Sequence, residues 1–464
     1  MCPVSPLPPI DRAAADAALA RLGVQVVECA LGDFTSVARG KRVHRDDFLA
    51  LGGCKLPSVI LGLTLTGGQP DAVFGPMLPT SYCDLALVPD LTTLAPRPGR
   101  PGEATVLCEP TGRWLSAHHD RAIDASELSP RAALRRVQAQ FEVEGLQALV
   151  APELELFLLQ RDEAGGQIHL GSARATPGAM ARETACEAFS LERTSHFEAY
   201  FDELYAACEA LAIPVSGHSH ESALSQFEVN FRPGAPLAQA DAVFRFKRVA
   251  REIAARHGFL ASFAAKPFLD QPGTGMHWHF SVQRRGVAWP HLFAHESGES
   301  SAELGHFIAG LQAHAPAAMA FFAPYDMAYD RIALSDASPS HAIWGAEDRS
   351  LAFRIPNSGP SARRVESRLP GGDANPYLTV AATLGLGLAG LRAAQDPHPD
   401  AARALPRTLP AALDALAANA TLRALFGAPL VDAYVEIKRH ELAERAALAD
   451  PRQQWDLRHL IELA

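Results

Sequence analysis

The chain has 464 residues, 48% hydrophobic and 20% charged, which suits one large core plus a smaller domain and excludes a disordered chain. Its formal net charge of −10 comes without any Lys/Arg run, which excludes the basic surface that a nucleic acid or an anionic membrane requires. The seven cysteines (Cys2, Cys29, Cys54, Cys83, Cys108, Cys186, Cys208) are odd in number and never spaced as CxxC, so neither a disulfide framework nor a zinc site is expected.

The opening segment MCPVSPLPPIDRAAADAALARLG lacks the basic stretch and apolar core of a secretory signal, and no run reaches the roughly 20 apolar residues of a membrane span. A cytoplasmic protein with reduced thiols is expected. Residues 23–108 read as short apolar runs (VQVVECAL, PSVILGLTL, DLALVP, ATVLCE) broken by Gly, Pro and Asp, the pattern of a small mixed-sheet domain, with APRPGRPG at 95–102 as a loop. Residues 130–144 predict a helix with Ser129 as N-cap and Pro130 at the first helical position, where a larger domain begins. Boundaries of 20–118 and 125–464 follow. In the larger part, helices predicted at 195–211, 236–257, 302–323, 410–418 and 429–447 alternate with short strands, which gives an α+β class with helices backing a largely antiparallel sheet.

The strands carry the informative residues. In APELELFLL (151–159) period-two alternation places Glu153 and Glu155 on one face and Leu154, Leu156 and Leu158 on the other. Two neighbouring carboxylates in an apolar strand call for a proton or a cation between them, and a half-exposed strand is the plainer alternative. The pattern recurs: Glu228 alternates with apolar residues in QFEVNF (226–231), Glu221 precedes it in HSHES, His277 and His279 share a face of MHWHFS (276–281), and Arg364, Glu366 and Arg368 share a face of RRVESRL (363–369). A solvated face would scatter Lys, Thr and Ser; these strands concentrate Glu, His and Arg. Five carboxylates with one imidazole form a hard, oxygen-dominated set that favours Mg²⁺ or Mn²⁺ over zinc, and more than one ion. The arginines Arg331, Arg349, Arg354, Arg364 and Arg368 suit carboxylate and phosphate partners. Together these residues point to phosphoryl transfer, without a P-loop or a kinase motif.

These segments resemble the glutamine synthetase superfamily over nearly the whole chain. The match lies in KPFLDQPGTGMHWHFS (266–281), the paired Glu strand, the HE…E segment, DRSLAFRIP and RRVESRLPGGDANPY; GDFTSVARGKRV, LPAALDAL and YVEIKRHE are similar to the branch acting on amines other than ammonia. The resemblance implies a small β-grasp-like N-terminal domain and a large catalytic domain with a curved antiparallel sheet backed by helices. It implies that Glu155, Glu221 and Glu228 hold one metal ion and Glu153, His277 and Glu366 another, with two or three Mg²⁺ or Mn²⁺ per site and ATP as co-substrate. Arg331 and Arg368 would bind glutamate, with Gly273 and Gly275 in the turn around it. Lys266, His279, Arg349, Arg354 and Arg364 would serve ATP and the transferring phosphoryl group, with Arg349 and Arg368 acting in catalysis. A homo-oligomer, a dodecamer of two stacked hexameric rings, is implied.

The departures bear on the acceptor. Ala337, in the loop IALSDASPSHAIWG, stands where ammonia-using members carry a flap glutamate; Asp336 beside it is the candidate base. In LTLTGGQPDAV no aspartate aligns with the ammonia-binding position, and Pro272 replaces the asparagine expected before the first glycine of the turn. The resulting expectation is a γ-glutamyl-amide synthetase taking glutamate, ATP and a primary amine. The alternatives are a glutamine synthetase using ammonia and an inactive structural or sensor protein of the same fold.

Overall fold

A computed structural model describes residues 11–161, 168–170, 172–176, 179–182, 185–334, 338–398 and 403–464. The chain forms two compact units, one comprising the chain up to Ala133 with Ala206–Ile213 and Phe426–Ala447, the other comprising Leu134–Tyr205, Pro214–Leu425 and Leu448–Ala464.

The first unit is built on a mixed sheet ordered Ala38–His44, Val26–Gly32, Glu103–Thr111, Asp84–Pro89, Cys54–Pro57. Only Val26–Gly32 and Glu103–Thr111 run parallel; the other neighbours in that order pair antiparallel. A short turn joins the antiparallel strands Val26–Gly32 and Ala38–His44, and the one parallel pair is reached by a long crossover, as parallel strands require. The apolar runs supply its core, with Val27, Cys29, Phe48, Leu87 and Val106 all fully buried. Cys29, Cys54, Cys108, Cys186 and Cys208 are free thiols. Cys83 is disulfide-bonded, which corrects the expectation that none is paired: spacing along a chain does not reveal which thiols the fold brings together.

In the second unit a curved nine-stranded sheet runs Val215–His220, Gln226–Phe231, Leu146–Arg161, Met276–Arg284, Val365–Ser367, Phe353–Ile355, Trp344–Ala346, with Ile168–Leu170 and Leu260–Ser262 as two further short strands on Leu146–Arg161. All of these neighbours are antiparallel except the last pair. The alternation expected of the central strand is present: Leu154, Leu156 and Leu158 are fully buried while Glu153 and Glu155 are only partly so. Helices Pro236–Arg256, Ala302–Phe322 and Pro376–Ala393 supply much of the remaining core. The last two meet at glycines: a Cβ on Gly310 would lie 2.1 Å from Leu386 O, and one on Gly390 would lie 2.1 Å from His306 O. Such backbone approach is closed to any residue with a side chain. Among the described residues no helix is long and apolar enough to cross a membrane.

Candidate active site

Register fixes the site. The strand Leu146–Arg161 pairs on one side with Gln226–Phe231, setting Glu155 opposite Glu228, and on the other with Met276–Arg284, setting His277 opposite Glu153. The strand Val365–Ser367 then places Glu366 opposite His279. Because side chains alternate across a strand, these residues come together on one face. Single ligand atoms of Glu153, Glu228 and His277 lie within 4.8 Å of one another, as do those of Glu153, His279 and Glu366.

Carboxylates crowd one end. Burial, followed by the charges of Glu221 and Glu228, pushes the Glu155 carboxyl up to about 8. Glu228 is pushed up to about 7 by burial and then by Glu153. Among the described residues Glu155 accepts from two neutral donors, Gly275 N–H at 2.8 Å and Gln226 Nε2 at 3.1 Å. Glu228 accepts from Asn230 Nδ2 at 3.0 Å, and Glu221 accepts from Ser222 N and Oγ. The set therefore carries more negative charge than it can hold unaided, which is the condition a divalent cation relieves.

The other end is balanced by arginine. Glu366 is fully buried between Arg354 Nε and Arg368 Nη1, the latter at 2.6 Å. Burial and then the cations Arg368 and Arg331 hold His277 well below the ordinary histidine range, so its imidazole is neutral and keeps a lone pair. His279 Nδ1 lies 3.1 Å from Arg364 Nε, and His279 Nε2 lies 2.8 Å from Glu153 Oε1. Arginine only donates, so Nδ1 accepts and Nε2 carries the proton given to Glu153. His279 is thereby committed to a relay, which leaves His277 as the imidazole with ligand capacity. Burial opposes ionisation of Glu153, but the His279 hydrogen bond and the charges of Arg349 and Arg354 hold its carboxyl below the ordinary value.

The glycine turn packs against this cluster. A Cβ on Gly273 would fall 2.3 Å from Ala265 O and 2.9 Å from Arg331 Cγ; one on Gly275 would fall 2.5 Å from His277 Nε2. Lys266 is 2% exposed and its Nζ donates to Gln271 O at 2.5 Å, so in this arrangement it braces the turn. Arg331 is buried and donates to Leu369 O and Arg368 O, while Arg368 Nε donates to Arg349 O. Arg349 is exposed. Asp336 and Ala337 lie outside the described residues.

Gln226 has a part that the sequence pattern did not assign. It is 1% exposed, and its amide donates both to Glu155 and to Gly273 O at 2.8 Å, joining the carboxylate strand to the turn. Its place on the polar face of QFEVNF was the available signal.

The profile of the glutamine synthetase catalytic domain matches residues 127–458. The chain is 32% identical to γ-glutamylputrescine synthetase PuuA of Escherichia coli over 77% of this chain and 74% of that one. It is 28% identical to a glutamate–isopropylamine ligase of a Pseudomonas species, over 93% and 94% respectively, and 31% identical to a glutamine synthetase of Methanocaldococcus jannaschii, over 79% and 81%. A solved GmaS/ADP complex superposes with a TM-score of 0.77 at 26% identity, covering 95% of this chain and 98% of that one. With this carboxylate, histidine and arginine arrangement and these matches, the chain belongs to the glutamine synthetase family of ATP-dependent, metal-using ligases.

Proposed function

We propose that the protein joins the γ-carboxylate of L-glutamate to a primary amine other than ammonia, converting ATP to ADP and phosphate. The observation that carries this reading is the convergence of Glu153, Glu155, Glu228, His277 and Glu366 on one sheet face, backed by Arg354 and Arg368.

In this reading Glu155, Glu221 and Glu228 hold one Mg²⁺ or Mn²⁺ and Glu153, His277 and Glu366 another; when bound, the ions screen repulsion between the glutamate carboxylate and the triphosphate. Arg331 and Arg368 orient glutamate, and Gly273 and Gly275 keep the turn close around it. Lys266 supports that turn from the ATP side. Arg349, Arg354 and Arg364 neutralise the phosphates, and His279 holds Arg364 in place through its hydrogen bond. A glutamate carboxylate oxygen attacks the γ-phosphorus as ADP leaves, giving γ-glutamyl phosphate. The amine nitrogen then attacks the acyl carbon, phosphate departs, and Asp336 takes the amine proton.

Two points support an organic amine: Ala337 in place of a flap glutamate, and the likeness to amine ligases. The match to a glutamine synthetase at comparable identity favours ammonia as the second reading. ADP release with glutamate and Mg²⁺, compared across ammonia, alkylamines, hydroxylated amines and diamines, separates them; hydroxamate formation with hydroxylamine separates both from an inactive protein. We further propose a cytoplasmic homo-oligomer of two stacked hexameric rings, which light scattering tests directly; a monomer would contradict it.

A further inference from the structure

Outside the cage, the first unit gathers a second set of metal-ligating side chains. His118 and His119 sit in the turn between the paired strands Arg113–Ser116 and Arg121–Asp124, and Asp432 lies on the helix Ala428–Ala446. One ligand atom from each of the three lies within 4.8 Å of the other two. Asp432 Oδ2 is 3.1 Å from His119 Nε2 and 3.6 Å from His118 Nε2. Bonds of about 2.0–2.1 Å from zinc to nitrogen or oxygen put neighbouring tetrahedral ligands about 3.3–3.4 Å apart, and the two distances bracket that edge. A hydrogen bond accounts for the shorter distance alone; 3.6 Å is too long for one, yet His118 also converges on the same oxygen.

The surroundings orient His119. Ser116 Oγ lies 2.8 Å from His119 Nδ1 and 3.3 Å from Pro76 O. When the hydroxyl donates to Pro76 O it accepts the Nδ1 proton and Nε2 presents its lone pair for a metal; when it donates to Nδ1, Nε2 donates its proton to Asp432 Oδ2 at 3.1 Å, the proton that an ion would displace. A partner on the far ring nitrogen is how metal-bound histidines are held. Two imidazoles and one carboxylate suit zinc and its neighbours rather than magnesium. The His118 side chain is 45% exposed, against 8% for His119 and 17% for Asp432, so an ion can enter from that side and keep a water.

We propose that His118, His119 and Asp432 bind one transition-metal ion of the zinc class, with a fourth position open to solvent. The ion ties the hairpin turn to a helix 313 residues later in the chain and is chemically distinct from the oxygen-rich cage.

The test uses the full-length, chelator-treated protein with excess Mg²⁺ occupying the cage, titrated with Zn²⁺ or Co²⁺ and assayed for retained metal. The expected result is one tightly held Zn²⁺ per chain, and with Co²⁺ the intense visible absorption of a tetrahedral site. His118→Ala, at the exposed ligand, should lose that equivalent and the absorption while keeping the metal-free melting temperature and Mg²⁺-dependent ADP release. Ser116→Ala should weaken Zn²⁺ by about 10- to 100-fold. Absence of retained Zn²⁺ in the wild type, or full retention in His118→Ala, would overturn the proposal. So would loss of the equivalent in Glu228→Gln with His118→Ala unaffected, because that places the ion in the cage.

Discussion

At the scale of single residues, two opposite electrostatic arrangements lie along one polar sheet face. Glu366 is satisfied by Arg354 and Arg368. Removing it by Glu366→Ala leaves two buried cations without their carboxylate, a change that costs about 3–5 kcal/mol when a buried pair is broken. We predict a large fall in melting temperature and loss of turnover; Glu366→Gln, which keeps the volume, should lose turnover with a smaller thermal penalty. Glu155 and Glu228 are the converse case. Their carboxyls are raised to about 8 and about 7 from an ordinary 4.5, so between pH 4.5 and 8 the folded chain holds protons that the unfolded chain releases. Stability contributed by these groups is therefore present at low pH and lost as pH rises through 7 and 8. Metal-free protein should melt at progressively lower temperature across that window. Added Mg²⁺ should raise the melting temperature more at pH 8 than at pH 6, because its ligands must be deprotonated. Equal gains at both pH values would show that these carboxylates do not bind the ion.

At the scale of elements, the cage depends on strand register. The Leu146–Arg161 strand carries Glu153 and Glu155 outward only because Leu154, Leu156 and Leu158 are locked into the core. Leu154→Ala should cost about 2–5 kcal/mol, measurable by denaturant unfolding. Gly275→Ala should instead preserve most of the stability and remove activity, since its Cβ would meet His277 Nε2 at 2.5 Å. Activity within twofold of wild type would show that the His277 position is not needed.

The same elements explain what the sequence made legible. Alternating Glu and Leu identified the central strand because period two is a local property, and helices predicted at 236–257 and 302–323 are observed at Pro236–Arg256 and Ala302–Phe322. The helix predicted from 195 begins instead at Glu198, after the separate short helix Leu191–Ser195. Helix Pro376–Ala393 gave no amphipathic signal, because it is buried on nearly every side. Its Asn375 cap and Pro376 were the available cue. The role of Gln226 escaped the pattern because its two partners lie 71 and 47 residues away.

For the whole molecule, the local pattern says least. The segment Phe426–Ala447 belongs to the first unit although more than 200 residues separate it from the unit's other segments in the chain, a pairing that only the folded chain displays. Activation of a carboxylate is read from residues on a few strands, whereas choice of acceptor depends on how loops assemble around them. The family places the chain among ligases; the acceptor is where its individual character lies.

The choice of acceptor is tested most directly by steady-state ADP release with ATP, Mg²⁺ and L-glutamate, comparing kcat/KM for ammonia with that for a panel of primary amines. At least one organic amine should be favoured by about tenfold or more, equivalent to about 1.4 kcal/mol of transition-state stabilisation, with a γ-glutamyl amide as the product. Ammonia performing as well as every organic amine would contradict it.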